Sequence, residues 1–164
     1  MGARYNHWAY MRALAQRLKP LQGEGHYTEC ADFHALVSLL AQFNELRFPC
    51  LVADYDAAAA VVDRGSDNVL ERTLYGCYLL CQGATPDEAS VRAAMVQARE
   101  LSTQVMLALM RDHREAREGL QHLEVNSFRI EPLGAVGDSG YGVALSFTVL
   151  EPSTAVYNPN LWMP

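Results

Sequence analysis

The sequence predicts an α+β domain: a mainly antiparallel sheet of about four strands packed on one long helix, with one or two helices before it. Three observations carry this prediction. Val91, Met95, Ala98, Leu101, Val105 and Leu109 recur at steps of three and four, which places them on one helical face. Val69 to Cys81 is apolar on both alternating faces, as a central strand should be. Two later runs alternate with period two around a glycine-rich turn.

The chain opens with a short amphipathic helix, 5–18, in which Trp8, Met11, Ala15 and Leu18 share a face. Pro20 and Gly23-Glu24-Gly25 end it. Cys30, Phe33, Val37, Leu40 and Ala41 fit a second helical stripe over 28–44, with Leu36 and Phe43 beside it. From 47 to 54 the period changes: Phe48, Cys50 and Val52 alternate with Leu51 and Ala53. Pro49 favours an edge position or the start of a strand there. Residues 54–68 are polar and alanine-rich and end in Asp63-Arg64-Gly65-Ser66-Asp67-Asn68, a loop signal. The strand 69–81 follows.

The long helix is expected from Thr85 to about Glu118, on the order of 50 Å at the helical rise. Thr85-Pro86-Asp87-Glu88 reads as a capping box with Thr85 as N-cap. Its segment from Val105 to Met110 is apolar nearly all round, so this helix should be covered on more than one side. Strands are expected at 124–131, with Phe128 and Ile130 on one face, and at 141–150, with Val143, Leu145, Phe147 and Val149 facing in. Gly137-Asp138-Ser139-Gly140 supplies the turn between them. Residues 151–164 read as an extended tail whose apolar side chains need a surface to lie on.

A chain of 164 residues fits one domain with a sizeable core. Half the residues are hydrophobic and 20% are charged, which is ordinary globular composition. A net charge of −6 argues against a dedicated nucleic-acid binder, which would carry a basic stripe. Cys30, Cys50, Cys77 and Cys81 form no Cys-x-x-Cys pair and suit reduced thiols in a cytosol. With no long apolar span and no signal-peptide core, the expectation is a soluble, non-secreted protein.

Candidate chemistry is sparse. His26, Cys30 and His34 are spaced by four and would line one side of a helix, and all three types bind zinc or other transition metals. This is the basis of an alternative reading, a small metal-binding enzyme or ligand-binding domain. The preferred account of the pattern is a buried cysteine flanked by surface histidines, which needs no fourth ligand. Asp54 and Asp56, with Asp63 and Asp67 beyond, match no EF-hand loop. Ser139 sits in a turn, not on a strand-to-helix elbow. His113 suits the C-terminal end of a helix dipole. Arg111, Arg114 and Arg117 alternate with Asp112, Glu115 and Glu118, as on a solvated helix end. No glycine-rich phosphate loop is present, and no catalytic residue, metal site or cofactor is expected.

The order of elements, the run Tyr141-Gly142-Val143-Ala144-Leu145-Ser146-Phe147-Thr148-Val149 and the closing Tyr157-Asn158-Pro159-Asn160-Leu161-Trp162 carry a resemblance. The stretch from Phe48 to Trp162 resembles the tail terminator and tail-completion proteins of long-tailed phages and contractile injection systems. The helix expected at 28–44 lies outside that pattern. The resemblance implies a structural protein, not an enzyme. It implies a ring, typically a hexamer, that caps the tail tube and any sheath and joins them to the neck. DNA would at most pass through its lumen, and no membrane is involved. Its place would be the virion tail or a phage-tail-like particle made in bacterial cytoplasm. A head-to-tail ring needs two unlike adhesive surfaces on one subunit. The candidates are Met106, Leu107 and Met110 on the long helix, and Tyr157, Leu161 and Trp162 in the tail.

Overall fold

A computed structural model describes residues 4–31, 35–38, 46–54, 58–63 and 69–152. The elements run α1 (His7–Arg17), β1 (Tyr27–Cys30), β2 (Cys50–Asp54), β3 (Ala58–Asp63), β4 (Val69–Gln82), α2 (Glu88–Arg114), β5 (Leu123–Val136) and β6 (Gly140–Pro152). Short 3₁₀ turns at Lys19–Leu21 and Leu120–His122 follow α1 and α2. The fold is α+β, with a mixed and mostly antiparallel sheet of six strands in the order β1-β2-β4-β6-β5; β3 also pairs with β4. Among the described residues the one parallel pairing is β1 with β2.

β4 and β6 form the spine, with unbroken register from Leu70↔Pro152 to Gln82↔Gly140. Alternation divides their side chains. Cys77, Leu79, Leu145, Phe147 and Val149 meet Ala98, Leu101, Val105 and Leu109 of α2 and Met11 and Leu14 of α1 in the main core. On the opposite face a smaller cluster gathers Cys30, Leu36, Cys50, Val52, Leu80 and Val136. Gly142 shows why the Gly-Tyr-Gly run stands where it does. A Cβ there would lie 1.9 Å from the Leu79 carbonyl oxygen, and at Gly140 one would lie 2.6 Å from that of Val136. The spine closes only where these side chains are absent.

Several elements differ from the sequence expectation. The sheet has six strands, not four. The stretch 28–44 does not begin as a helix: Tyr27–Cys30 is a strand beside β2, and helix appears at 35–38. Within 54–68, expected as loop, β3 pairs with β4 from Ala58↔Leu74 to Asp63↔Val69. Three alanines before two valines lowered its strand signal, while β4 was long enough to offer a second partner. The first strand begins at Cys50 and not at 47; the late strands are longer, and only Gly137–Ser139 turns between them.

The long helix spans Glu88–Arg114, shorter at both ends than expected, and Thr85 is not its cap. Asp87 is, its side chain accepting from the amides of Ala89 and Ser90, while the Thr85 hydroxyl pairs with that of Tyr141. On α1 the buried face is His7, Tyr10, Met11, Leu14 and Ala15, and Trp8 is exposed. The expected inward residues of β6, and Phe128 and Ile130 of β5, face the core.

Candidate assembly surface

Two buried polar contacts fix the helices before any surface is considered. Asp112, 2% exposed near the end of α2, accepts from the Tyr10 hydroxyl at 2.7 Å and from Arg111 at 3.0 Å, with Arg17 at 3.7 Å. Burial pushes its carboxyl up, but the Tyr10 hydroxyl and the two guanidinium groups outweigh that and hold it below the usual range. This clamp joins α1 to α2. Beside it lies a shallow groove of about 380 Å³ floored by Leu14, Leu18, Leu107 and Ala108 and rimmed by Arg17 and Arg111. Val96 and Leu107, 54% and 47% exposed, lie three turns apart on the solvent side of α2.

The second contact ties the start of α1 to the spine. His7 is buried, with Nε2 2.8 Å from the Gly76 carbonyl oxygen and Nδ1 3.1 Å from the Tyr5 hydroxyl. The carbonyl can only accept, so Nε2 carries the proton and Nδ1 accepts from Tyr5. The ring stacks on Tyr75 with centroids 5.0 Å apart. Burial lowers its pKa to about 4, against the favourable Gly76 contact, so the imidazole is neutral. Arg4 extends the anchor to Glu71 and to buried Glu151. No sequence signal separated His7 from a surface histidine, because Gly76 and Tyr75, which hold and cover the ring, lie about seventy residues along the chain.

The sheet's borders are unlike one another. On one flank β1 is four residues long and carries Glu29, paired with Arg12 at 2.7 Å. On the other, β5 carries Glu124, Arg129, Glu131 and Pro132, and its register against β6 shifts twice. β3 has neither the proline nor the register shifts, and its one charged residue, Asp63, stands at its end. Five of its six residues are alanine or valine, Ala58, Ala59 and Ala60 are exposed, and Val61 is 72% exposed. Among the described residues no strand lies along its outer edge.

The structure divides the residues singled out in the sequence. Leu107 is exposed in the groove, whereas Met106 packs partly against the core and Met110 is half-buried. The sheet and α1 both pack on the helix, and within the segment 105–110 expected to be covered on more than one side Leu107 stays exposed in a single chain. Tyr157, Leu161 and Trp162 lie outside the described residues.

His26 precedes β1 and has Nδ1 2.7 Å from the Pro49 carbonyl oxygen; Cys30 is buried at the end of β1; His34 lies outside the described residues. The helical spacing that aligned the three therefore does not exist at the first two, and no metal-ligating group of three forms among the described residues. Asp54 accepts from the Tyr78 hydroxyl, and Asp56 and Asp67 lie outside the described residues. Ser139 is in the turn, and His113 Nδ1 meets the Leu120 carbonyl oxygen at 2.7 Å. All four cysteines are buried. Burial raises the Cys50 and Cys77 thiols to about 12 and that of Cys81 to about 11, far from a reactive thiolate.

No family model, curated protein or solved structure matches this chain. Its surfaces therefore speak through their own chemistry. Among the described residues no helix is long and apolar enough to cross a membrane.

Proposed function

We propose that this chain is a structural subunit of a ring, typically a hexamer, that caps a phage tail tube (and its sheath where one exists) and joins it to the neck. The observation that carries this reading is exposed apolar side chains in two unlike places. One is Leu107, in an α1–α2 groove that Arg17, Gln104 and Arg111 also line; the other is Val61 on the β3 edge. Unlike surfaces on one subunit suit head-to-tail contacts, which form a ring when the rotation between subunits closes. The element order and the Gly-Tyr-Gly spine strand add the resemblance to tail terminators. Partners would be tube, sheath or neck proteins. An acidic chain can line a lumen through which DNA slides without being held.

The test is light scattering behind a sizing column, with negative-stain imaging, on the full chain and on a chain lacking residues 153–164. Rings of about six subunits, lost on removal of the tail, are expected. A compact monomer in both forms, alone and with purified tail tubes, would end the ring reading.

A further inference from the structure

We propose that the open edge of β3 receives residues 153–157 of a second copy of this chain, which add to the sheet as a strand. This deepens the ring reading and rests on it for its setting, but the physical argument is independent. A strand edge presents backbone N–H and C=O groups in fixed alternation, so its natural occupant is another extended segment. Along β3 the side chains from Ala58 to Val62 are uncharged and small, with Asp63 at the end of the strand and Glu71 and Arg72 opposite on β4, so an occupant without charge suits the strand's own apolar run.

The chain supplies such a segment. Residues 153–164 contain no charged side chain, and Thr154, Val156 and Tyr157 are β formers. Pro159 would limit the added strand to the residues before it. The starting point also matters. Pro152 ends β6 opposite Leu70, and Leu70 in turn pairs with Val62, so the tail leaves the sheet at the end of β3. To reach its own β3 edge the tail would have to cross β4 and β3 and reverse around residues 64–68. A neighbour's edge asks only that it run on, so that edge must lie directly beyond Pro152, where residues 153–157 extended span about 16 Å.

The test mixes two single-cysteine variants of the full chain. One carries Val156→Cys; the other carries Ala59→Cys, Ala60→Cys or Val61→Cys, each at an exposed position, while the native cysteines are buried. Mild oxidation and a non-reducing gel should show a two-chain species with Val156→Cys and at least one β3 variant, and none with the wild type. Three results would overturn the proposal. They are no mixed cross-link at any of the three positions, cross-linking of β3 variants to themselves, or a doubly substituted chain that closes on itself and runs as one chain.

Val61→Lys gives a second readout, with circular dichroism unchanged and self-association weakened roughly tenfold or more by a charge on the edge. Unchanged association would count against the edge. Mixed cross-links in dimers that never form rings would sink the ring and keep the edge. Rings without cross-links would sink the edge and keep the ring.

Discussion

β3 and β5 border the same sheet and are built to opposite rules. β5 is long, yet its register against β6 slips between Glu124 and Arg129 and again between Leu133 and Ala135. Ser127 stitches the first slip, accepting from the Thr148 amide and donating to the Glu124 carbonyl. Pro132 removes a backbone donor, and the exposed Arg129 and Glu131 sit beside it. Each device discourages an incoming strand. β3 is short, regular and uncharged from Ala58 to Val62. It also continues the line of β2 along β4, after two residues more than β4 uses between Ala53↔Cys77 and Ala58↔Leu74. A chain that guards one border this thoroughly has the means to guard the other. The difference marks β3 as a contact, and β5 as a border kept free.

The largest effect should come from breaking the spine from which both borders hang. Gly142→Ala would set a methyl against the Leu79 carbonyl, and a backbone contact has little room to yield. We expect a loss of about 3 kcal/mol or more, read by urea denaturation, with both borders lost together. A stable, well-folded variant would show that the β4–β6 pairing is looser than described.

Acid should act on the β3 side first, because His7 bonds to Gly76, which lies against Asp54 at the junction of β2 and β3. Its folded pKa, about 4, lies below the ordinary value of 6.5, so the unfolded chain binds the proton more readily. Stability from this group is full above about pH 6.5 and is lost as pH falls toward 4, roughly 2 kcal/mol between pH 7.5 and 5. Denaturation midpoints across that window, with His7→Gln flattening the slope, would check it. An identical slope in the variant would assign the loss to other groups.

Asp112→Ala spares both borders and strikes the helix clamp. Tyr10 would keep a buried hydroxyl without its acceptor, at about 2 kcal/mol. Cross-linking at β3 should survive this change, and its loss would tie the edge to the helices. Smallest in stability, and sharpest for the comparison, are the edge variants. Val61→Lys should alter stability by less than about 0.5 kcal/mol while reducing association. Pro132→Val, with Glu131→Val, should give β5 a new tendency to self-associate, visible as concentration-dependent mass. If these changes at β5 were silent, the charges and proline there would not be guards.

The main core was legible in the sequence because its signals are local and periodic. The face of α2 from Ala98 to Leu109 and the inward residues of β6 follow directly from steps of three, four and two. What escaped was set by distant partners. Thr28 to Cys30 forms a strand because β2 lies beside it, and the helix-like spacing of His26, Cys30 and His34 loses its meaning there. Three alanines and two valines read as loop until β4 is long enough to pair with them. Thr85 satisfied a local capping rule, but its hydroxyl pairs with that of Tyr141, and Asp87, two residues later, caps the helix. Of the adhesive surface, Leu107 was visible as apolar excess on the long helix; the β3 edge was not, since an edge is a property of the sheet.

The most direct measurement is the solution mass of the wild type beside Val61→Lys, by light scattering at matched concentrations. A multi-subunit wild type and a lighter, equally folded variant are predicted. Two monomers, or two assemblies of the same mass, would contradict the claim that this chain assembles through the unguarded border of its sheet.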